Sequence, residues 1–250
     1  MRNTAPETTA QAGHLGEEAV ARLERLCIPQ GSPRKASEIV RHTGYTVCFN
    51  TDRQIPDWVA YVLTDAEVGG QVPRKDRFVP DPDIPGMRAT TDDYKGSGYD
   101  RGHMAPAADM KWSEEAMKES FYLSNICPQN RNLNKGDWND LEEKVRDWAG
   151  RYGALCIVCG PVDDAGLATI GANDVAVPKR FFKVILRQEG KELRAMGFLF
   201  ANQSGSRDLK EYAVSVDRVE RETGLDFFSA LPDDAEDAAE ALCVPEEWGL

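Results

Sequence analysis

The stretch DYKGSGYDRGHMAPAADM, residues 93–110, decides how this chain is read. Gly96 and Gly98 make a turn, and Asp100-Arg101-Gly102-His103 follows at once. Glycines let backbone approach a ligand closely, and two charges and an imidazole sit beside them. The competing reading is a turn with a surface salt bridge. His14 and His42, the other two histidines, lie in a polar terminal segment and before a strand, and are read as exposed or structural.

A second informative stretch is SNICPQNRNLNKGDWNDLEEKVRDWA, residues 124–149, which carries Asn125, Asn130, Asn132, Asn134 and Asn139. An amide oxygen is a hard neutral donor that suits Mg2+ with most of its waters kept. Asn134 stands just before a predicted helix over 137–149, with Trp138, Leu141, Val145 and Trp148 as its apolar stripe and Gly150 and Gly153 as stops. Glu142 lies eight residues beyond Asn134 and Arg146 four beyond that, so all three can project from one side. An ordinary exposed Glu–Arg pair is the plain alternative.

Around these segments the pattern is mixed. Leu15, Ala19, Leu23 and Leu26 predict an amphipathic helix over 15–27. Tyr45, Val47 and Phe49 alternate, and 58–64 is a second β-rich run. Residues 70–99 read as an irregular surface excursion, and 113–122 as a helix capped by Ser113. Strands are expected at 154–160, 176–188 and 192–201, and a helix near 208–223. Strands, helices, then strands give an α+β class.

The chain has 250 residues, 41% hydrophobic and 29% charged, with a formal net charge of −12. That describes a globular protein with no membrane span, and it argues against bulk capture of nucleic acid by a basic surface. Residues 71–151 hold 13 basic and 15 acidic residues, near balance, while 231–250 hold seven acids and no Lys or Arg. The last 20 residues therefore read as a solvated acidic tail or a terminal cap. Residues 1–12 are small and polar, and no apolar leader opens the sequence. The expected location is cytoplasmic, or periplasmic or secreted if a signal was removed.

Six cysteines leave the disulfide state open. Cys156 and Cys159 are not read as a redox or zinc pair, because strand residues three apart face opposite ways. Trp58, Trp112, Trp138 and Trp148 read as core.

The two quoted stretches, with VCGPV at 158–162, closely resemble the non-specific DNA/RNA endonucleases with a ββα-metal site, the sugar-non-specific bacterial nuclease and endonuclease G type. The resemblance implies a ββα-metal fold with a central, mostly antiparallel sheet flanked by helices. It divides the chain into an extension with one helix (1–44), the nuclease domain (45–230) and an acidic tail (231–250). It implies His103 as general base, Asn134 as direct ligand of Mg2+ (Mn2+ as substitute), and Glu142 holding that ion through water. Arg101 and Arg146 would stabilise charge, Asn125 would support the site, and Asp100 would fix loop geometry. An upstream arginine is also implied, with Arg77 the first match and Arg88 its competitor. DNA and RNA are the implied substrates and a homodimer the implied assembly; an inhibitor partner is left open. A catalytically silent nucleic-acid-binding protein and a small-nucleotide phosphodiesterase are the rival readings.

Overall fold

The structure, a computed structural model, describes residues 17–31, 37–190, 192–205 and 208–250. Residues 1–12, His14 and Leu15 lie outside them. Along the chain the strands are β1 (Ser37–Arg41), β2 (Thr46–Asn50), β3 (Ile55–Thr64), β4 (Asp100–His103), β5 (Ile126–Gln129), β6 (Ala154–Pro161), β7 (Ala168–Ile170), β8 (Val175–Val177), β9 (Arg180–Glu189), β10 (Glu192–Ala201) and β11 (Ala213–Val214). The helices are α1 (Glu17–Cys27), α2 (Asp65–Val68), α3 (Thr91–Tyr94), α4 (Glu114–Glu119), α5 (Arg131–Lys135), α6 (Asp137–Tyr152), α7 (Val216–Thr223) and α8 (Asp233–Glu240).

Seven strands form one antiparallel sheet in the order β1-β2-β3-β6-β9-β10-β11. Its central strands are buried on both faces, and their period of two sorts the core into two layers. Val59, Tyr61, Leu63, Leu155, Ile157, Phe181, Ile185, Phe198 and Phe200 face one layer, together with α6. Trp58, Ala60, Val158, Phe182, Val184 and Leu186 face the other, with residues of α1, α7 and α8. Cys156 and Cys159 do diverge: Cys159 joins the first layer and Cys156 the second, where it is bonded to Cys27. Trp138, Leu141, Val145 and Trp148 of α6 are all buried, each large apolar side chain contributing about 1.5–3 kcal/mol. Trp112 is 37% exposed and is not core.

Several expectations need correction. Helix α6 runs past Gly150 to Tyr152, and Gly153 ends it at φ 87°, a left-handed value that glycine adopts without strain. The expected strand over 176–188 breaks into β8 and β9 at Pro178, which cannot donate to a ladder. The expected helix near 208–223 starts only at Val216, where Ser215 accepts from the Arg218 amide; before it, β11 pairs with β10. The stretch set apart as an N-terminal extension contains β1, an edge strand of the main sheet, and α1, whose Leu26 and Cys27 enter the core. The acidic C-terminal segment is a cap, not a free tail. It forms α8, and Trp248 is buried against Trp148, whose Nε1 donates to the Trp248 carbonyl at 2.7 Å. Among the described residues no helix is long and apolar enough to cross a membrane.

Candidate active site

The site lies on the α6 side of the sheet, where a small ββα unit is packed. Strands β4 and β5 pair antiparallel, Asp100 opposite Gln129 and His103 opposite Ile126. Glycine suits position 102 in β4, because a Cβ there would come within 2.7 Å of the Gln129 Cβ. Asn130 caps α5 by accepting from the Asn132 and Leu133 amides. Asn202, between β10 and β11, accepts from Asn130 N and donates to the carbonyls of Pro128 and Pro178. That bridge ties the start of α5 to the main sheet.

Asn134 sits in α5, and α5 is separated from α6 by Gly136 at φ −111°, ψ −114°. The three residues expected to project from one side, with Asn134 just before the helix, therefore come from two helices. They converge nonetheless. Arg74, Arg101, His103, Asn134, Glu142 and Arg146 all line one cavity of about 380 Å³.

The His103 ring is wedged between Phe121 (centroids 5.0 Å apart) and Phe78 (5.4 Å). The Trp138 indole donates to the His103 carbonyl at 3.3 Å, fixing the backbone from α6. The His103 Nε2 is buried and has no hydrogen-bond partner among the described residues. Burial, reinforced by the Arg74 cation, pushes the imidazole pKa down to about 3, so His103 is neutral at neutral pH and able to accept a proton. Phe78 and Phe121 also carry the guanidinium groups of Arg101 (4.7 Å) and Arg74 (5.1 Å). This aromatic shelf escaped the sequence reading, since isolated phenylalanines carry no motif.

Asp100 Oδ2 accepts from Asn134 Nδ2 at 3.2 Å, which leaves the amide oxygen for another partner. Arg146 donates to Asp109 at 2.9 Å, and the Tyr61 hydroxyl donates to the other Asp109 oxygen at 3.0 Å. Burial raises the Glu142 carboxyl to about 7, with the nearby Lys183 cation opposing it. Lys183 itself is buried beneath α6, its Nζ 4.4 Å from the Trp138 ring centroid.

Asn125 stands behind the cavity. Its side chain accepts from the Ala105 amide and donates to the carbonyls of Ala105 and Ser120. It clamps the chain two residues after His103. Arg77 does not enter the cavity; it lines a neighbouring hollow of about 530 Å³ with Lys75 and Lys118. Arg88 is directed to the Thr51 carbonyl. The upstream arginine that reaches the cavity is Arg74, three residues before Arg77. The loop from 70 to 99 has no period that a sequence could register. His42 is structural: it is buried with Nε2 at 2.9 Å from Asp81.

The profile of the DNA/RNA non-specific endonucleases matches residues 26–234. The chain belongs to that family. Among the family's members it is 39% identical over 230 residues to the mitochondrial nuclease EXOG of Xenopus laevis, covering 85% of this chain and 64% of that protein. The mitochondrial nuclease 1 of Schizosaccharomyces pombe is 38% identical over 218 residues, 79% of this chain and 67% of that protein. Human mitochondrial endonuclease G is 32% identical over 206 residues. Among solved structures, the complex of EndoG with EndoGI, described as a mechanism of EndoG inhibition, superposes with a TM-score of 0.78 at 31% identity, covering 86% of this chain and 94% of that one. The family assignment agrees with the α+β fold described above. The chain spans under two thirds of the length of the EXOG relatives it matches.

Proposed function

We propose that this chain is a metal-dependent, sugar-non-specific endonuclease that hydrolyses phosphodiester bonds of DNA and RNA. The observation that carries the reading is the convergence of His103, Asn134 and Glu142 with Arg74, Arg101 and Arg146 in one cavity. His103, held neutral, takes the proton of the attacking water. The three guanidinium groups bind the scissile phosphate and offset charge gathering on its oxygens.

The donor set fits a hard divalent cation: an amide oxygen freed by Asp100, and a carboxylate for its waters. Mg2+, or Mn2+ in its place, bound at Asn134 with Glu142 holding its waters, would supply stabilisation of the phosphoryl and leaving oxygens. Glu142 needs its charge for that role, and a nearby cation would favour the ionised form. A polymeric substrate, as opposed to a small nucleotide, is supported by Arg77 in the neighbouring hollow, beside Lys75 and Lys118, which are ion-paired with Glu114 and Glu115. The same reading extends to partners: a homodimer, and an inhibitor protein of the kind the EndoG comparison includes.

The test is degradation of plasmid DNA and of RNA with Mg2+, with EDTA, and by His103→Ala. Cleavage of both polymers by the unaltered chain, abolished by EDTA and by the substitution, is expected. Activity indifferent to both treatments would overturn the mechanism, and binding without cleavage would favour the silent rival.

A further inference from the structure

On the face of the sheet away from the catalytic cavity, carboxylates are gathered with few cations among them. Asp217 and Glu220 stand one helical turn apart on α7, and Glu240 is the last residue of α8. Each presents an oxygen, and the three oxygens lie within 4.8 Å of one another. The Phe227 amide donates to Glu220 Oε1 at 2.9 Å and holds that side chain in place. Asp226 and Glu236 add further negative charge nearby. Of the two arginines on the same helix, Arg218 is paired with Glu222, and Arg221 lies close enough to Glu220 to offset part of its charge.

Glu240 sets this group apart from an ordinary acidic surface. It is only 4% exposed, and its Oε1 has no hydrogen-bond partner among the described residues. Burying an unpaired carboxylate oxygen among like charges is unfavourable unless something positive faces it. The other close group of this kind among the described residues, His42 with Asp81 and Asp83, has no such deficit. There Asp81 accepts from the Ser124 hydroxyl and the Asp83 amide and pairs with His42.

The geometry points to a divalent-cation site formed by Asp217, Glu220 and Glu240, of a chemistry that suits Ca2+. All three donors are hard oxygens. Calcium accepts irregular coordination completed by water, which suits three carboxylates brought together from two helices. Magnesium, by contrast, demands near-ideal octahedral geometry and gives up its waters reluctantly. Bound there, the cation staples α8 to α7, and both helices pack on β10. Val216, Val219 and Ala239 of these helices belong to the second core layer, so the site is separated from His103 and Asn134 by the sheet. Protons are the competing occupants: burial and the neighbouring acids push the Glu240 carboxyl up to about 9 and that of Glu236 to about 7.

The experiment uses the full chain carrying Asn134→Ala, which removes the catalytic cation's ligand, after dialysis against EDTA. Calorimetric titration with CaCl2 is paired with thermal melts, and repeated with Glu240→Gln and with Asp217→Asn added. One Ca2+ per chain and a raised Tm are expected, with each added substitution weakening binding by about tenfold or more and removing the Tm rise while circular dichroism stays unchanged. Absence of Ca2+ binding, or binding left unchanged by the two added substitutions, would overturn the site and leave protons as what balances the cluster.

Discussion

Asp100 holds Asn134 by its amide nitrogen, Nδ2 to Oδ2 at 3.2 Å, across the gap between β4 and α5. An asparagine side chain has one oxygen and one nitrogen at nearly equal reach, and only the oxygen can face a cation. The carboxylate settles which end points where. The Asp of the Asp-Arg-Gly-His run is thus coupled to the proposed metal ligand 34 residues away, in addition to shaping its own turn.

From that coupling comes the first prediction. Asp100→Ala should raise the Mg2+ concentration needed for half-maximal cleavage by about 10–100-fold. The rate at saturating Mg2+ should fall less, because His103 is untouched. A Mg2+ titration of nuclease activity checks this; an unchanged midpoint would show that the amide is oriented by something else.

The arginines can be separated by position. Arg74 lines the cavity, Arg77 lines the neighbouring hollow, and Arg88 meets the Thr51 carbonyl. Arg74→Ala should lower kcat on the order of 10²-fold, as loss of a transition-state charge donor does. Arg77→Ala should instead raise KM for long DNA with kcat nearly intact, and Arg88→Ala should change neither. Steady-state kinetics on one plasmid substrate would rank them, and equal losses at Arg74 and Arg88 would contradict the placement.

His103 makes a pH prediction whose sign follows from its depressed pKa. The folded value, about 3, lies below the unfolded value of about 6.5, so protons bind the unfolded chain more readily. The stabilising contribution is complete above about pH 6.5 and is lost as pH falls from there towards 3. At pH 5 the loss is on the order of 1–2 kcal/mol. Urea denaturation at pH 7 and pH 5 should show His103→Asn losing less stability than the unaltered chain. Carbon-13 shifts of the His103 ring should stay flat between pH 5 and 8.

Asn125 is expected to act on stability first. It is fully buried and makes three hydrogen bonds to the backbone of Ala105 and Ser120. Asn125→Ala leaves those groups unpaired, at a cost of about 2–4 kcal/mol. Thermal melts measure that cost directly. Activity measured well below the lowered Tm should still be reduced, because Ala105 anchors the segment that carries His103.

How much could be read without coordinates differs between the fold and the site. Runs with a clear local pattern were legible: β10 is a near-continuous apolar run and α6 carries an apolar face at helical spacing, which tertiary contacts only reinforce. Elements whose existence depends on a distant partner were not. Strand β11 has two residues and exists because β10 offers it a ladder, and the acidic end folds back because Trp248 finds Trp148. In the site, Asp-Arg-Gly-His and the asparagine-rich stretch marked His103, Asn134, Glu142 and Arg146 by residue type and spacing. Arg74, Phe78 and Phe121 were missed, since they come from a loop and a helix end with no period and meet only in space.

The order of residues alone therefore determined the class of fold and the inventory of chemical groups, because hydrophobic period and side-chain chemistry are properties of neighbours along the chain. Tertiary packing alone decided which arginine faces His103, which end of the Asn134 amide is free, and that Glu240 is buried beside Asp217 and Glu220. Those are matters of orientation and burial, set by contacts between segments tens of residues apart, and the strength of a charge depends on how much water is left around it.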